Sequence, residues 1–166
     1  NIIACAAIAD TLNISWDLFR DRISTFQPPP GRCEIKKSKN MTFIDDTYNA
    51  NVESTIAAID YLTGFSGNGR RILIFGDMFE LGDESKNQHI KVGQKCIESN
   101  LDYVFTVGTE TLATHKSITN GPKNMHFETK EDLIKELKTE ITDGDKILVK
   151  GSRGMAMETI IETLMK

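Results

Sequence analysis

The sequence predicts an α/β fold: a six-stranded, mostly parallel sheet with one antiparallel edge strand and helices on both faces. From residue 32 onward, short apolar runs bounded by Gly, Asp or Asn alternate with stretches of helical periodicity. Such alternation favours parallel strands, because each helix carries the chain back across the sheet. Near residue 39, a short polar turn joins two strand candidates directly, which predicts a hairpin and hence the antiparallel edge strand.

Residues 1–25 predict a helical tail of two helices. Ser15 and Asp17 can begin the second, and the first carries an apolar stripe formed by Ile2, Ile3, Ala6, Ala7 and Leu12. Prolines at 28–30 interrupt regular structure, so we place a domain boundary between a tail over 1–30 and a domain over 31–166. Because Asn1 starts inside an apolar helix, we expect the chain to be part of a longer protein.

The domain itself contains six strand candidates and five helical patterns. The strand candidates are 33–37, 42–44, 72–75, 103–107, 125–127 and 146–149. The helical patterns lie near 53–63, 85–99, 110–118, 130–140 and 155–165. Thr129, with Asp132 three residues later, is typical of a capping pair at the start of a helix.

Composition argues against several classes of function. The chain has 20 basic and 24 acidic residues and a net charge of −4, which disfavours nucleic-acid binding. The longest apolar run, residues 2–9, is too short to span a bilayer, so we expect no membrane partner. The three cysteines, Cys5, Cys33 and Cys96, are widely spaced and form no CxxC pair. This spacing disfavours a disulfide framework or a zinc site, and we expect a location in the reducing cytoplasm. We expect these cysteines to be buried as small apolar residues.

Polar and glycine-rich segments follow four of the predicted strands. They cover residues 45–51, 76–82, 108–109 and 150–154. Ligands of open parallel sheets bind beyond the carboxyl ends of the strands, so these segments are the candidate site. The sequence has no GxxxxGK[ST] motif and no Ser–His–acid arrangement, and its three histidines share no metal-ligand spacing. We therefore name no catalytic residue and no metal ligand.

The loop at 150–154 is the best candidate for binding an anion. Its glycines allow close backbone approach, the predicted helix after it offers N–H groups, and Lys150 and Arg153 add positive charge. The alternative is a helix cap with two solvated basic residues.

The other two long segments also have two interpretations each. Asp45 and Asp46 can end a strand in solvent while Asn51 caps the next helix, or the two carboxylates can bind ribose hydroxyls or a metal. In segment 76–82, Met78, Phe79 and Leu81 can cover a pocket or pack into the core.

Three motifs in this order and spacing resemble the C-terminal domain of the Mur ligases. They are DDTYNANVES at 45–54, GDMFELG at 76–82 and KGSRGMAME at 150–158, and GRCE at 31–34 is similar to the GRxE that opens this domain. The TYNAN and KGSRGM forms resemble the members that add D-alanyl-D-alanine. Val52 stands where the family usually has proline. Proline suits the first turn of a helix but is not required there.

The resemblance implies a Rossmann-like domain of an ATP-dependent carboxylate–amine ligase of peptidoglycan synthesis. Such an enzyme activates UDP-MurNAc-tripeptide as an acyl phosphate and joins it to D-Ala-D-Ala. ATP, Mg²⁺ and the UDP-sugar would be held mainly by N-terminal and central domains outside this chain, so we expect the chain alone to be inactive.

The resemblance also implies roles for particular residues. Asn1 would contact adenine, and Arg32 and Asp46 would hold the ribose. The dipeptide would be bound by Tyr48, Asn49 and Asn51, with its carboxylate at Lys150, Ser152 and Arg153. Two alternatives stay open at this point: a stand-alone doubly wound binding or interaction module, and a related amide ligase of the Mur or folylpolyglutamate type.

Overall fold

The computed structural model describes residues 2–166, which form six strands and seven α-helices. The strands are β1 (Glu34–Ser38), β2 (Met41–Asp46), β3 (Arg71–Gly76), β4 (Tyr103–Val107), β5 (Lys123–Phe127) and β6 (Lys146–Lys150). The helices are α1 (Ile2–Thr11), α2 (Trp16–Ser24), α3 (Val52–Thr63), α4 (Ser85–Glu98), α5 (Leu112–Ser117), α6 (Lys130–Glu140) and α7 (Glu158–Leu164). The predicted elements are confirmed, with ends that differ by a few residues.

The six strands form one sheet in the order β1-β2-β6-β3-β4-β5. β1 pairs with β2 antiparallel through the hairpin, and the four other pairings are parallel. The predicted sheet with one antiparallel edge strand is therefore confirmed. β6, the last strand in the chain, lies between β2 and β3 near the centre of the sheet.

An apolar layer covers each face of the sheet. Ile44, Phe75 and Leu148 face one layer, which contains residues of α3 and α4. The opposite layer contains Phe43, Ile74, Phe105 and residues of α6 and α7. Because successive strand residues point to opposite faces, β2, β3 and β6 contribute to both layers, which explains their nearly continuous apolar sequences.

Side-chain caps begin three of the helices. Ser15 accepts a hydrogen bond from the Leu18 N–H at α2, and Thr129 accepts one from the Asp132 N–H at α6. At α3, Asn51 and Ser54 form a reciprocal capping box. The caps predicted at Ser15, Asn51 and Thr129 are confirmed.

Helices α1 and α2 leave most of their apolar side chains exposed. Ile3 is 86% exposed and Leu12 and Phe26 are each 64% exposed, whereas Ala9 is buried. Within residues 2–166, no helix is both long and apolar enough to cross a membrane.

Two sequence predictions are wrong. The segment 150–154 does not lead directly into a helix, because a short 3₁₀ turn at Arg153–Met155 and a left-handed Ala156 (φ 47°) come before α7. Burial of all three cysteines is also wrong. Cys96 is buried and Cys33 is half-buried, but Cys5 is exposed on the uncovered helix α1.

Candidate functional site

Two clefts open side by side at the carboxyl edge of the parallel strands. The first cleft has a volume of about 250 Å³ and is lined by Arg32, Asp46, Tyr48, Asn49, Ala50, Asn51, Ser54 and Lys150. The second cleft, of about 370 Å³, is lined by residues 49–51, 79–81 and 152–154. Residues 49–51 line both clefts, and we refer to this segment as the partition.

The two adjacent carboxylates at the end of β2 have different surroundings. Asp45 is buried, and its oxygens accept hydrogen bonds from the Lys36 Nζ at 2.5 Å and from the Thr47 N–H and hydroxyl. The interpretation that both carboxylates end a strand in solvent is therefore wrong. Because neighbouring strand residues point to opposite faces, only Asp46 lines the first cleft.

Asp46 is held by one backbone donor and one ammonium group. Its Oδ1 accepts the Cys33 N–H at 3.1 Å, and its Oδ2 accepts the Lys150 Nζ at 2.5 Å. Asp46 and Lys150 are paired residues on the adjacent parallel strands β2 and β6, so the sheet register itself brings them together. Burial and the Asp46 carboxylate raise the pKa of the Cys33 thiol to about 11, so this thiol stays protonated at neutral pH.

A cation–π pair lines the first cleft. The Arg32 guanidinium carbon lies 3.9 Å from the centroid of the Tyr48 ring. A guanidinium over an aromatic face is attracted by the ring and can still donate hydrogen bonds to other acceptors. Arg32 and Asp46 both line this cleft, which therefore carries a basic donor as well as the carboxylate.

The wall of the second cleft is joined to the end of β6 by Ser152. The buried Ser152 accepts the Phe79 N–H at its hydroxyl, at 2.7 Å, and donates its own N–H to the Asp77 carbonyl at 2.9 Å. Gly154 lies so close to the Phe79 ring that a Cβ there would be 2.9 Å from a ring carbon. Phe79 is 44% exposed and thus presents an apolar surface to this cleft.

Arg153 is an exposed charge lining the second cleft. Its side chain is 66% exposed and donates to the Glu158 carboxylate at 3.0 Å. The guanidinium therefore lies largely in solvent, where it can reach a second carboxylate in the cleft, while Glu158 is 25% exposed.

Sequence reasoning missed two side chains that hold loops near the carboxyl edge of the sheet. The buried Asp77 carboxylate accepts the backbone N–H groups of Thr109, Glu110 and Thr111, which fixes the loop after β4. The Lys130 ammonium donates to the carbonyls of Met155 and Ala156, which braces the turn after Arg153. An aspartate directly after a strand was the only signal for Asp77, and nothing near Lys130 in the sequence indicated its partners.

The structure brings together most of the residues assigned to binding in the sequence. Six of them line the first cleft, namely Arg32, Asp46, Tyr48, Asn49, Asn51 and Lys150. Ser152 and Arg153 line the second cleft, together with Asn49 and Asn51. Asn1 lies outside the described residues.

The histidines have structural partners. His89 is buried, accepts the Met78 N–H at Nε2 and lies 2.8 Å from the Ser85 carbonyl at Nδ1, while His115 stacks on His126. Burial and the nearby His115 lower the pKa of His126. Over residues 2–166, no group of three or more His, Cys, Asp or Glu side chains is arranged to hold a metal ion.

Comparison with known proteins gives a family match and similar relatives. The family model described as "Mur ligase, glutamate ligase domain" matches residues 31–153. The UDP-N-acetylmuramoyl-tripeptide–D-alanyl-D-alanine ligase of Escherichia coli is 36% identical over 169 residues, covering 100% of this chain and 36% of the relative. The Haemophilus influenzae protein of the same name is 37% identical, over 99% of this chain and 36% of its own length.

Solved structures give the same result. MurF from Acinetobacter baumannii has a TM-score of 0.86 and 33% identity, over 99% of this chain and 36% of the other. MurF from Thermotoga maritima, solved in complex with ADP, has a TM-score of 0.79 and 28% identity, over 94% and 35%. This chain therefore spans about a third of the length of the relatives that it matches.

Proposed function

The chain belongs to the Mur ligase family, and from this membership we propose that it is the C-terminal domain of an ATP-dependent ligase joining D-alanyl-D-alanine to UDP-N-acetylmuramoyl-tripeptide. The observation that carries the proposal is the pair of adjoining clefts with a common partition. A ligase of this kind must hold a nucleotide and an incoming amine at neighbouring positions. Both are small cytoplasmic molecules, and we place the enzyme in that compartment.

We assign the first cleft to the nucleoside part of ATP. Each oxygen of the Asp46 carboxylate accepts one hydrogen bond within the protein, and a carboxylate oxygen has room for a second. Two ribose hydroxyls can therefore donate to Asp46 while Arg32 provides donors beside them. Asn1 remains our candidate for the adenine contact.

Mg²⁺ and the phosphates belong, in this proposal, to the part of the longer protein outside this chain. Mg²⁺ prefers several oxygen ligands together with phosphate oxygens. When bound, it would neutralise charge on the transferred phosphate. The residues of this chain contribute the nucleoside contacts that bring the domain onto the nucleotide.

We assign the second cleft to D-alanyl-D-alanine. Arg153 can donate two hydrogen bonds to the dipeptide carboxylate, and the Ser152 hydroxyl can donate a further one while accepting from Phe79. The exposed Phe79 ring offers an apolar surface to the alanine methyl groups. Asn49 and Asn51, in the partition, supply polar groups for the peptide bond, whereas Tyr48, also assigned to the dipeptide from the sequence, lines only the first cleft.

The reaction proposed is attack of the dipeptide amine on an acyl phosphate of the tripeptide. A C–N bond forms, the amine loses a proton, and the C–O bond to phosphate breaks as phosphate leaves. The contribution of this domain is to hold the amine at the acyl carbon, and such positioning supplies a large part of the barrier reduction in reactions of two bound molecules.

We also propose that residues 1–30 and 31–166 belong to different domains. The exposed apolar side chains of α1 and α2 need a covering surface, which a neighbouring domain would supply. The prolines at 28–30 lie outside helices and strands and would form the hinge about which the domain closes over the nucleotide.

An assay of ADP release tests the overall function. The full-length protein should release ADP only when ATP, UDP-MurNAc-tripeptide and D-Ala-D-Ala are all present, and the chain described here should release none. ADP release by this chain alone would contradict the proposal, as would ADP release by the full-length protein that does not depend on D-Ala-D-Ala.

Single substitutions test the assignment of each cleft. In the full-length enzyme, Arg32→Ala and Asp46→Ala should each raise the KM for ATP about tenfold, as expected for loss of a charged hydrogen bond. Arg153→Ala should raise the KM for D-Ala-D-Ala by a similar factor and leave that for ATP unchanged. Lys135→Ala, on the exposed face of α6 and away from both clefts, is the control for removing a basic side chain. An unchanged KM for ATP in the first two variants would contradict the assignment of the first cleft. An unchanged KM for D-Ala-D-Ala in Arg153→Ala would contradict that of the second.

A further inference from the structure

We propose that Lys150 is a positioning residue that couples the nucleotide cleft to the dipeptide cleft. The inference rests on the proposed function and assigns Lys150 a different role from that of a ligand for the dipeptide carboxylate. The Lys150 side chain is only 2% exposed, at the end of a strand near the centre of the sheet. A buried ammonium is costly unless it is paired and hydrogen-bonded, so its partners determine what it does.

The partners of Lys150 belong to both clefts. Its Nζ donates to Asp46 Oδ2 at 2.5 Å, in the first cleft, and to the Asn49 carbonyl at 3.0 Å, in the partition. One ammonium therefore fixes the carboxylate assigned to the ribose and the backbone that separates the two clefts. Movement of Asp46 toward or away from a ribose would be transmitted to Asn49 through this single group.

The chain after Lys150 extends the connection into the second cleft. Ser152 accepts the Phe79 N–H, and Gly151, which lies between Lys150 and Ser152, has no room for a side chain. A Cβ at Gly151 would lie 2.8 Å from Met157 Cγ and 3.2 Å from Gly76 Cα. Lys150 and Ser152 thus form the ends of one tightly packed segment, with each end attached to the wall of a different cleft.

Lys146 provides a matched control on the same strand. It lies four residues before Lys150, so its side chain points to the same face, and it is also buried. Its Nζ donates to the carbonyls of Ser66 and Gly67, at the opposite edge of the sheet from the clefts. Replacing either lysine by methionine removes one buried ammonium from β6, but only Lys150 contacts the site.

The first experiment compares Lys150→Met with Lys146→Met in the full-length ligase. We expect Lys150→Met to raise the KM for ATP and the KM for D-Ala-D-Ala, each about tenfold and each measured with the other substrate saturating. Lys146→Met should lower the unfolding temperature and leave both KM values unchanged. Equal KM values for Lys150→Met and wild type would overturn the proposal.

A second variant keeps the test decisive if Lys150→Met does not fold. Asp46→Asn retains the lysine but neutralises its partner, and we expect it to raise the KM for D-Ala-D-Ala even at saturating ATP. Arg32→Ala, which lines the same cleft without contacting Lys150, should raise only the KM for ATP. If Asp46→Asn raises only the KM for ATP, as expected for Arg32→Ala, the clefts are not coupled through Lys150. Absence of ligation by the wild-type protein would instead contradict the proposed function.

Discussion

At the scale of single residues, burial decides which of three carboxylates at the sheet edge lines a cleft. Asp45, Asp46 and Asp77 each follow or end a strand at the same edge of the sheet. All three accept hydrogen bonds from donors inside the protein, but Asp45 and Asp77 are buried, whereas Asp46 lines the first cleft. The sequence could place all three at the edge but could not distinguish them, because their burial depends on how distant segments pack.

Loss of the Asp77 carboxylate should be strongly destabilising. Asp77→Ala leaves the N–H groups of Thr109, Glu110 and Thr111 without their acceptor in a partly buried loop. Removing a charged acceptor from buried donors costs about 3 kcal/mol, and we expect a loss of that order in the free energy of unfolding. Guanidinium denaturation would measure it.

Asp83→Ala is the matched control, because Asp83 lies in the same region and is exposed. We expect the stability of that variant to stay within about 0.5 kcal/mol of wild type. A similar loss in both variants would mean that general charge effects, rather than the three hydrogen bonds, explain the role of Asp77.

At the scale of elements, local signals were sufficient for most helices and strands. Caps at Ser15, Asn51 and Thr129 begin helices where the sequence placed them, because each cap involves residues only three apart. The start of α7 could not be found this way. Lys130 binds the carbonyls of the turn before α7, and that contact between segments is invisible to local periodicity.

Removal of the α6 cap should lower the free energy of unfolding without changing the clefts. Thr129→Ala deletes the acceptor for the Asp132 N–H, and loss of such a cap costs about 1 kcal/mol of stability. Thr129→Ser keeps the hydroxyl and should retain most of the stability that the cap contributes. Denaturation midpoints of the three proteins would measure the effect, and a Thr129→Ala variant as stable as wild type would contradict it.

At the scale of the whole molecule, the position of β6 creates the site. The last strand of the chain enters between β2 and β3, so residues more than a hundred apart in sequence become neighbours, as Asp46 and Lys150 do. The two apolar layers on either face then keep these strands in register. Burial in those layers also affects how the molecule responds to pH.

Stability should fall as the pH rises above 9. Burial raises the pKa of the Cys96 thiol from 9.0 to about 12, so the folded protein keeps a proton that the unfolded chain loses. The unfolded state therefore binds fewer protons between pH 9 and 12, and the free energy of unfolding decreases through this window, by at most about 1.4 kcal/mol per pH unit for one thiol.

Comparison of variants isolates the contribution of Cys96. Unfolding midpoints of wild type and Cys96→Ala, measured under reducing conditions at pH 8 and pH 10, should show a smaller decrease for the variant. Cys5→Ala should behave as wild type, because Cys5 is exposed in the folded protein. Identical decreases for Cys96→Ala and wild type would show that burial of this thiol is not the cause.

The sequence by itself determined the fold class, the order of the elements and the edge of the sheet that carries the polar loops. These follow from periodicity, turn residues and caps, which act over a few residues. The tertiary structure alone decided that Asp45 is buried whereas Asp46 lines a cleft, and that Lys150 is paired within the protein. It also decided that the partition, residues 49–51, separates two clefts. Those outcomes depend on strand register and on burial of charge, and neither is settled until segments far apart in the chain pack together.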